Sequence, residues 1–245
     1  MSIIHTYFDN LQGLLARTLN TQQQAMEAAA RMIADCLKGG GMVYTFGTGH
    51  GHLLALEIFY RAGGMVRLCP ILDEKLMLHV SAAGSTLEER KEEWVDTLLE
   101  RYPIQAGDVL ISISNSGRNA VPVLLAKAAR DRGAAVIALT SMNHTSAVTS
   151  RNSLGLRLFE TADLVLDNGG VLGDASVAFA DGSMVGPTST AIGAAMLQAI
   201  VCRVKELSLE EGFDADYFKS SNVDGGDAWN DRLIDQYKDI IPGLL

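Results

Sequence analysis

Apolar positions recur at intervals of three and four from Leu11 through Leu14, Leu15, Leu19, Met26, Ala29, Ala30, Ile33 and Leu37. That period predicts one long amphipathic helix over residues 3–37. No Gly or Pro interrupts it between Leu14 and Lys38, and Gly39-Gly40-Gly41 ends it. The pattern then changes to short, unbroken apolar runs, each closed by Gly, Pro or a hydroxyl and followed by an amphipathic stretch. The runs Met42–Phe46, Val66–Cys69, Val109–Ile113, Ala135–Leu139 and Leu164–Leu166 are predicted strands. The stretches His52–Ala62, Leu87–Arg101, Ala120–Arg132, Thr188–Leu207 and Asp231–Tyr237 are predicted helices.

Strands that are apolar throughout are buried on both faces, and their alternation with helices calls for a parallel sheet between helical layers. The expected fold is α/β, a three-layer αβα sandwich with a long N-terminal helix and a C-terminal helical extension. One domain accounts for the length: a helical extension over 1–40, the αβα core over 41–208 and a tail over 209–245. In such sheets ligands lie outside the carboxyl ends of the strands. Those ends are Gly47–Gly49, Ser112–Gly117, Thr140-Ser141 and Asn168–Gly170.

Composition narrows the function. With 20 Lys and Arg against 29 Asp and Glu, the net charge is −9. That disfavours nucleic acid and anionic membrane surfaces as partners. It also means that an anionic ligand must be attracted locally. Cys36, Cys69 and Cys202 are far apart, show no zinc spacing and sit in apolar runs, so three buried, inert thiols are expected. No metal site and no cofactor is expected. With no apolar stretch long enough to span a bilayer, the chain reads as soluble and cytoplasmic.

The strongest chemical signal is Ser112-Ile113-Ser114-Asn115-Ser116-Gly117-Arg118-Asn119. It follows a buried strand and opens a helix, whose first N–H groups have no partners within the helix. Hydroxyls, an amide and a permissive glycine at that point suit an anion such as phosphate. Ser and Asn also favour plain turns and caps. The loop lacks the Lys and spacing of a Walker A motif and is not GxGxxG. Gly47-Thr48-Gly49-His50-Gly51-His52 lies at the same sheet edge, and Thr140 and Ser141 add two hydroxyls there.

These residues resemble the SIS (sugar isomerase) domain family, and more closely its largely uncharacterised, phosphoheptose-isomerase-like bacterial members. The resemblance rests on Phe46–His50, Glu57–Gly64, Ser114–Gly117, Val136–Ser141, Asp163–Asn168, Gly186–Thr190 and Ser221–Asp227. It implies a five-stranded parallel sheet of flavodoxin-like order that binds a phosphosugar, usually in a homodimer or homotetramer. Phosphate is then held by Ser114, Ser116, Gly117 and Asn119, the last standing where the family has Ser or Thr. Thr48, Gly49 and His50, with Thr188, Ser189 and Thr190, complete the sugar pocket.

For catalysis, aldose–ketose isomerisation needs a base to move a proton between adjacent carbons and an acid or polariser for the carbonyl. The family's His and Glu positions on the helix after the glycine loop hold Glu57 and Arg61 here. Glu57 therefore reads either as a base or as an i,i+4 ion pair with Arg61. It is placed roughly 10 Å along the helix from the loop at ~1.5 Å per residue. His79 and His52 are the candidate acids, and His144 is open. The Gly225-Gly226-Asp227 segment before Trp229 and Asn230 reads as a solvated turn or as a tail reaching a pocket. An isomerase, a phosphosugar sensor without chemistry, and a lyase or deaminase of amino-sugar phosphates all fit this pattern.

Overall fold

Five apolar runs become one parallel sheet in the order β2-β1-β3-β4-β5. The strands are β1 (Val43–Gly47), β2 (Leu68–Pro70), β3 (Val109–Ile113), β4 (Ala135–Thr140) and β5 (Leu164–Asp167). They are taken from a computed structural model, which describes residues 2–245. β1 and β3 are buried along their whole length, as strands covered on both faces must be. Register brings Val43 level with Leu68 on one side and Val109 on the other.

Side chains alternate along each strand, so the sheet feeds two cores. Val43, Ile111, Ile113, Ile137 and Leu139 pack with α1 (Ile3–Lys38), α2 (Gly51–Glu57) and α8 (Ser189–Glu211). Tyr44, Phe46, Leu110, Val136 and Ala138 pack on the other face with α4 (Trp94–Arg101), α5 (Ala120–Asp131) and the C-terminal Leu233, Ile241 and Leu244. α1 lies along α8 and β5. α8 runs past Leu207 to Glu211 and stops at Gly212, whose φ of 69° is left-handed.

Four departures from the sequence pattern have physical causes. The helix expected over His52–Ala62 ends at Glu57. Beyond it Tyr60 takes φ 41° and sets its ring edge-on to Phe218, with centroids 5.0 Å apart, while Gly63 N donates to Phe218 O at 2.8 Å. The C-terminal segment captures this turn. The helix expected over Leu87–Arg101 is two, α3 (Ala82–Glu88) and α4, because Glu89 turns inward between them. Residues 171–187, where no element was expected, carry an antiparallel hairpin of β6 (Ala175–Ala178) and β7 (Met184–Pro187).

The last helix, α9 (Gly226–Tyr237), begins five residues before Asp231, so Gly226 and Asp227 belong to it rather than to a turn. A Cβ on Gly226 would lie 2.0 Å from Ser220 O, so only glycine allows this start. Trp229 Nε1 donates to Tyr217 O at 2.9 Å, which ties the segment to its own chain. One thiol also differs from expectation. Cys36 and Cys69 are buried, but Cys202 is exposed, because it falls on the outward side of α8. Two further helical turns, α6 (Met142–Thr145) and α7 (Leu158–Thr161), flank β4 and β5.

Candidate functional site at the carboxyl edge of the sheet

The Ser114–Asn119 loop is shaped by its own side chains. Ser114 N donates to Leu139 O at 3.0 Å, and Gly117 N donates to Ser114 Oγ at 3.2 Å. Gly117 takes φ 57°, and a Cβ there would lie 3.0 Å from Thr145 Oγ1, so both conformation and space require glycine. The Asn115 carbonyl accepts from Ser141 N and Thr140 Oγ1, each at 3.2 Å. Thr140 and Ser141, both fully buried, thus anchor the loop to β4; the Ser141 hydroxyl donates to Gly170 O at 2.6 Å. Asn168 Nδ2 donates to Asn115 Oδ1 at 2.9 Å.

The glycine loop packs as tightly. A Cβ on Gly47 would sit 2.4 Å from the Gly51 carbonyl. Gly49, at φ 54°, donates its N–H to Leu76 O at 3.0 Å in the 3-10 turn Glu74–Leu76. The two loops are joined by a residue that the sequence did not single out. Thr48 Oγ1 donates to one Glu89 oxygen at 2.6 Å and Asn119 Nδ2 to the other at 2.7 Å. The Glu89 carbonyl accepts from Val121 N, in the first turn of α5, at 3.1 Å. Burial pushes the Glu89 carboxyl up, against the opposing effect of the Thr48 bond and the nearby Arg90 charge. Within the charge run 88–93 nothing in the pattern marks this one glutamate.

Between the loops lies a cavity of about 200 Å³, lined by His50, Leu54, Asn115, Asn168, Asp174, Ser189 and Thr190 among others. Asp174, also unanticipated, closes its α8 side. Its Oδ1 accepts from Thr188 N at 3.1 Å and Ser189 N at 2.9 Å, and its Oδ2 from Ser189 Oγ at 2.5 Å. It therefore caps α8 from a distance, in place of Thr188, which is buried and makes no side-chain cap bond.

The structure thus brings His50, Ser189 and Thr190 to one cavity with Asn115, and sets Ser114, Ser116 and Gly117 on the adjoining loop. The three residues considered for catalysis stand apart from that lining. Glu57 is paired with Arg61 and accepts from Gln198 Nε2 of α8 at 3.2 Å. His52 is buried with Nε2 unpartnered, and burial holds its pKa below the usual histidine value. His79 is exposed beside an open depression with Asp73, Glu74 and Arg101. His144, on α6, is likewise lowered by burial. Among the described residues no group of three or more His, Cys, Asp or Glu is placed to hold a metal, and no helix is long and apolar enough to cross a membrane.

A parallel sheet of this order, with a hydroxyl-rich loop and a small cavity at its carboxyl edge, defines an α/β protein whose candidate ligand site lies at the ends of its strands. Residues 6–141 match the SIS domain family, and the chain belongs to it. A UPF0309 protein of Listeria monocytogenes serotype 4b (strain F2365) is 40% identical over 243 residues, covering 99% of this chain and 98% of its own. A UPF0309 protein of Halalkalibacterium halodurans is 43% identical over 225 residues, 91% of this chain and 93% of its own. Among solved structures, the phosphoheptose isomerase of Neisseria gonorrhoeae superimposes with TM-score 0.56 at 17% identity, over 83% of this chain and 97% of that one. The Vibrio vulnificus NanR protein, solved with ManNAc-6P, gives TM-score 0.54 at 14% identity, over 98% of this chain and 69% of that one. These structural likenesses are likenesses of fold.

Proposed function

We propose that this protein binds a sugar phosphate at the carboxyl edge of its sheet and interconverts its aldose and ketose forms without a cofactor. The observation that carries the reading is the adjacency of two features. A loop of hydroxyls and turn N–H groups opens α5, and a cavity of about 200 Å³ begins at the same Asn115, where amide, hydroxyl and imidazole groups face a wall of Leu54, Ile113, Leu139 and Pro187. That volume is below the ~300–1,000 Å³ of pockets that take drug-sized ligands and suits one small polar metabolite. The phosphate lies on Ser114, Ser116 and Gly117, at the N-terminus of α5. The sugar hydroxyls meet Asn168, Ser189 and Thr190.

The transfer of a proton between adjacent carbons requires a base in reach of the substrate and a donor at the carbonyl oxygen. His50 is exposed at the cavity mouth and is the base in this reading, in place of Glu57, His52 and His79, which do not line the cavity. Asn115 uses Oδ1 to accept from Asn168, and its Nδ2 is the donor for the carbonyl. The test is turnover of a panel of aldose and ketose phosphates. His50→Gln should cost ~10²–10⁴-fold in kcat, and Glu57→Gln should cost little. If no phosphosugar is converted, the isomerase reading fails. A second reading, a phosphosugar sensor, is favoured by the commitment of Glu57 to Arg61 and Gln198. Thermal stabilisation by a sugar phosphate with no turnover would select it.

A further inference from the structure

The two ends of the α1–α8 pair differ in charge. At one end Arg203 pairs with Glu27, and Glu211 pairs with Arg31 and Lys38. The other end is nearly bare. Between Ser2 and Met26 the only Asp, Glu, Lys or Arg residues are Asp9 and Arg17, and between Ser189 and Cys202 there are none. A helix face left to water normally carries charge. Here it carries Ile4, Phe8, Leu15 and Leu19, each more than a third exposed and spaced to lie on one side of α1.

The β6–β7 hairpin extends this face. Its Phe179 and Val185 are exposed and share an apolar hollow of about 280 Å³ with Ile4 and Phe8. A second hollow, of about 320 Å³, runs between α1 and α8 from Leu15 and Leu19 to Ala195 and Ala199. At roughly 150–200 Å² per whole side chain, the exposed parts of Ile3 and these six large residues come to about 600 Å² of apolar surface. The largest apolar patch on a monomer is about 300–600 Å². An interface of standard size takes about 800 Å² from each partner, of which about 450–500 Å² is apolar. The hairpin itself lacks cover: a two-stranded ribbon is marginally stable alone, and of its strand residues only Val177 is buried.

We propose that a second copy of this chain covers this face, in a two-fold contact of α1 and the hairpin of each copy, and that the contact steadies one wall of the cavity. A two-fold contact uses the same patch twice, so the patch must complement itself. Protruding Phe8 and Leu19 and the hollow floored by Ala195 and Ala199 supply the two halves. A membrane is a poor occupant, because interfacial helices line their polar flank with Lys and Arg, and α1 has only Arg17 ahead of Arg31. The link to the cavity is short. Tyr7 Oη donates to Pro187 O at 2.9 Å and Asn10 Nδ2 to Ser176 O at 2.8 Å, so the start of α1 holds both strands of the hairpin. A Cβ on Gly186 would lie 2.8 Å from the Tyr7 ring, which shows how closely the two pack. Asp174 and Pro187, at the two ends of the hairpin, both line the cavity.

The test is analytical ultracentrifugation of the full chain. Phe8→Glu/Leu19→Glu should sediment with half the mass of wild type, whereas Leu209→Glu, at an exposed apolar residue on the charged end of α8, should keep it. A thermal melt verifies that each variant folds. Wild type alone gives a second readout: a hundredfold dilution should lower its Tm by about 3 °C, because subunit association contributes to stability. Amide exchange over residues 175–187 should be about tenfold slower in wild type than in Phe8→Glu/Leu19→Glu, and equal in the two over β1 and β3. A wild type that sediments at the 26.2 kDa of one chain overturns the proposal, as does a double variant that keeps the wild-type mass. A monomeric wild type that co-sediments with phosphatidylcholine–phosphatidylglycerol vesicles would assign the face to a membrane instead. Equal exchange over 175–187 would remove the link to the cavity wall. None of these measurements requires a sugar phosphate, so the ligand reading can fail without touching the contact.

Discussion

Asp174 offers the sharpest quantitative test, because one side chain, just ahead of the β6–β7 hairpin, caps a 23-residue helix 15 positions on. Replacing it with Ala removes three acceptor contacts at the α8 N-terminus. Loss of such a cap costs about 0.5–2 kcal/mol. Loss of the negative charge at the positive end of the helix adds about 0.3–1 kcal/mol. Asp174 also has φ 69°, a conformation that Asp and Asn tolerate and that costs Ala about 1–2 kcal/mol. The total for Asp174→Ala is about 3 kcal/mol. At roughly 2–4 °C per kcal/mol for a domain of this size, Tm should fall by about 6–12 °C. Asp174→Asn keeps the backbone conformation and the oxygen that accepts the two N–H groups, and loses the charge and the acceptor for the Ser189 hydroxyl, so it should cost about 1 kcal/mol. Thermal and urea melts of the two variants measure both. If Asp174→Ala melts within 2 °C of wild type, or Asp174→Asn is as damaging as Asp174→Ala, the account of this cap is wrong.

Other outcomes follow from the same contacts. Glu89→Ala frees Thr48 and Asn119 together and should destabilise by about 2–3 kcal/mol, since hydrogen bonds to charged groups contribute about 1.5–3 kcal/mol each before desolvation is offset; amide exchange should rise over residues 48–51 and 117–121. Burial holds His52 and His144 below the usual histidine pKa, so the unfolded chain binds more protons as pH falls through about 6.5. Stability should therefore be full above that pH and decline below it, and His52→Asn should flatten the decline in a Tm-against-pH series. Glu89 acts in the opposite sense at lower pH, because its raised carboxyl pKa lets the folded state take up a proton first. A thiol reagent should modify Cys202 quickly in the native protein and leave Cys36 and Cys69 untouched until unfolding, since burial pushes both thiols up to about 12.

The sheet was legible because each strand is an apolar run closed by a residue that ends it, such as Gly47, Pro70 or Thr140. Helix ends were less so. The period of 87–101 marks an apolar face but carries no record of Glu89 turning toward Thr48 and Asn119 across 41 and 30 positions. The β6–β7 hairpin escaped because only Val177 of its residues is buried, which leaves no alternation to read. The Ser114–Asn119 loop stood out through its hydroxyls and its place between a strand and a helix. Asp174 was not, because it caps α8 through space, whereas the sequence signal for a cap is local. Thr140 and Ser141 show the opposite limit: hydroxyls at a sheet edge suit a ligand, and here both also anchor neighbouring backbone.

The position of α1 has a consequence for solubility. An open five-stranded sheet ends in two strands whose outer N–H and C=O groups can pair with another chain. At β2 that hazard is small, because the strand has three residues and ends at Pro70, and residues 216 and 218 already bond the segment 64–66 that leads into it. At β5 the guard is α1: Gln22 Oε1 accepts the Asp167 N–H at 3.0 Å, and the helix lies across the strand. The long helix therefore acts as a seal on the growth point of the sheet. A chain shortened past Gln22 would present β5 as a template for strand addition and precipitate.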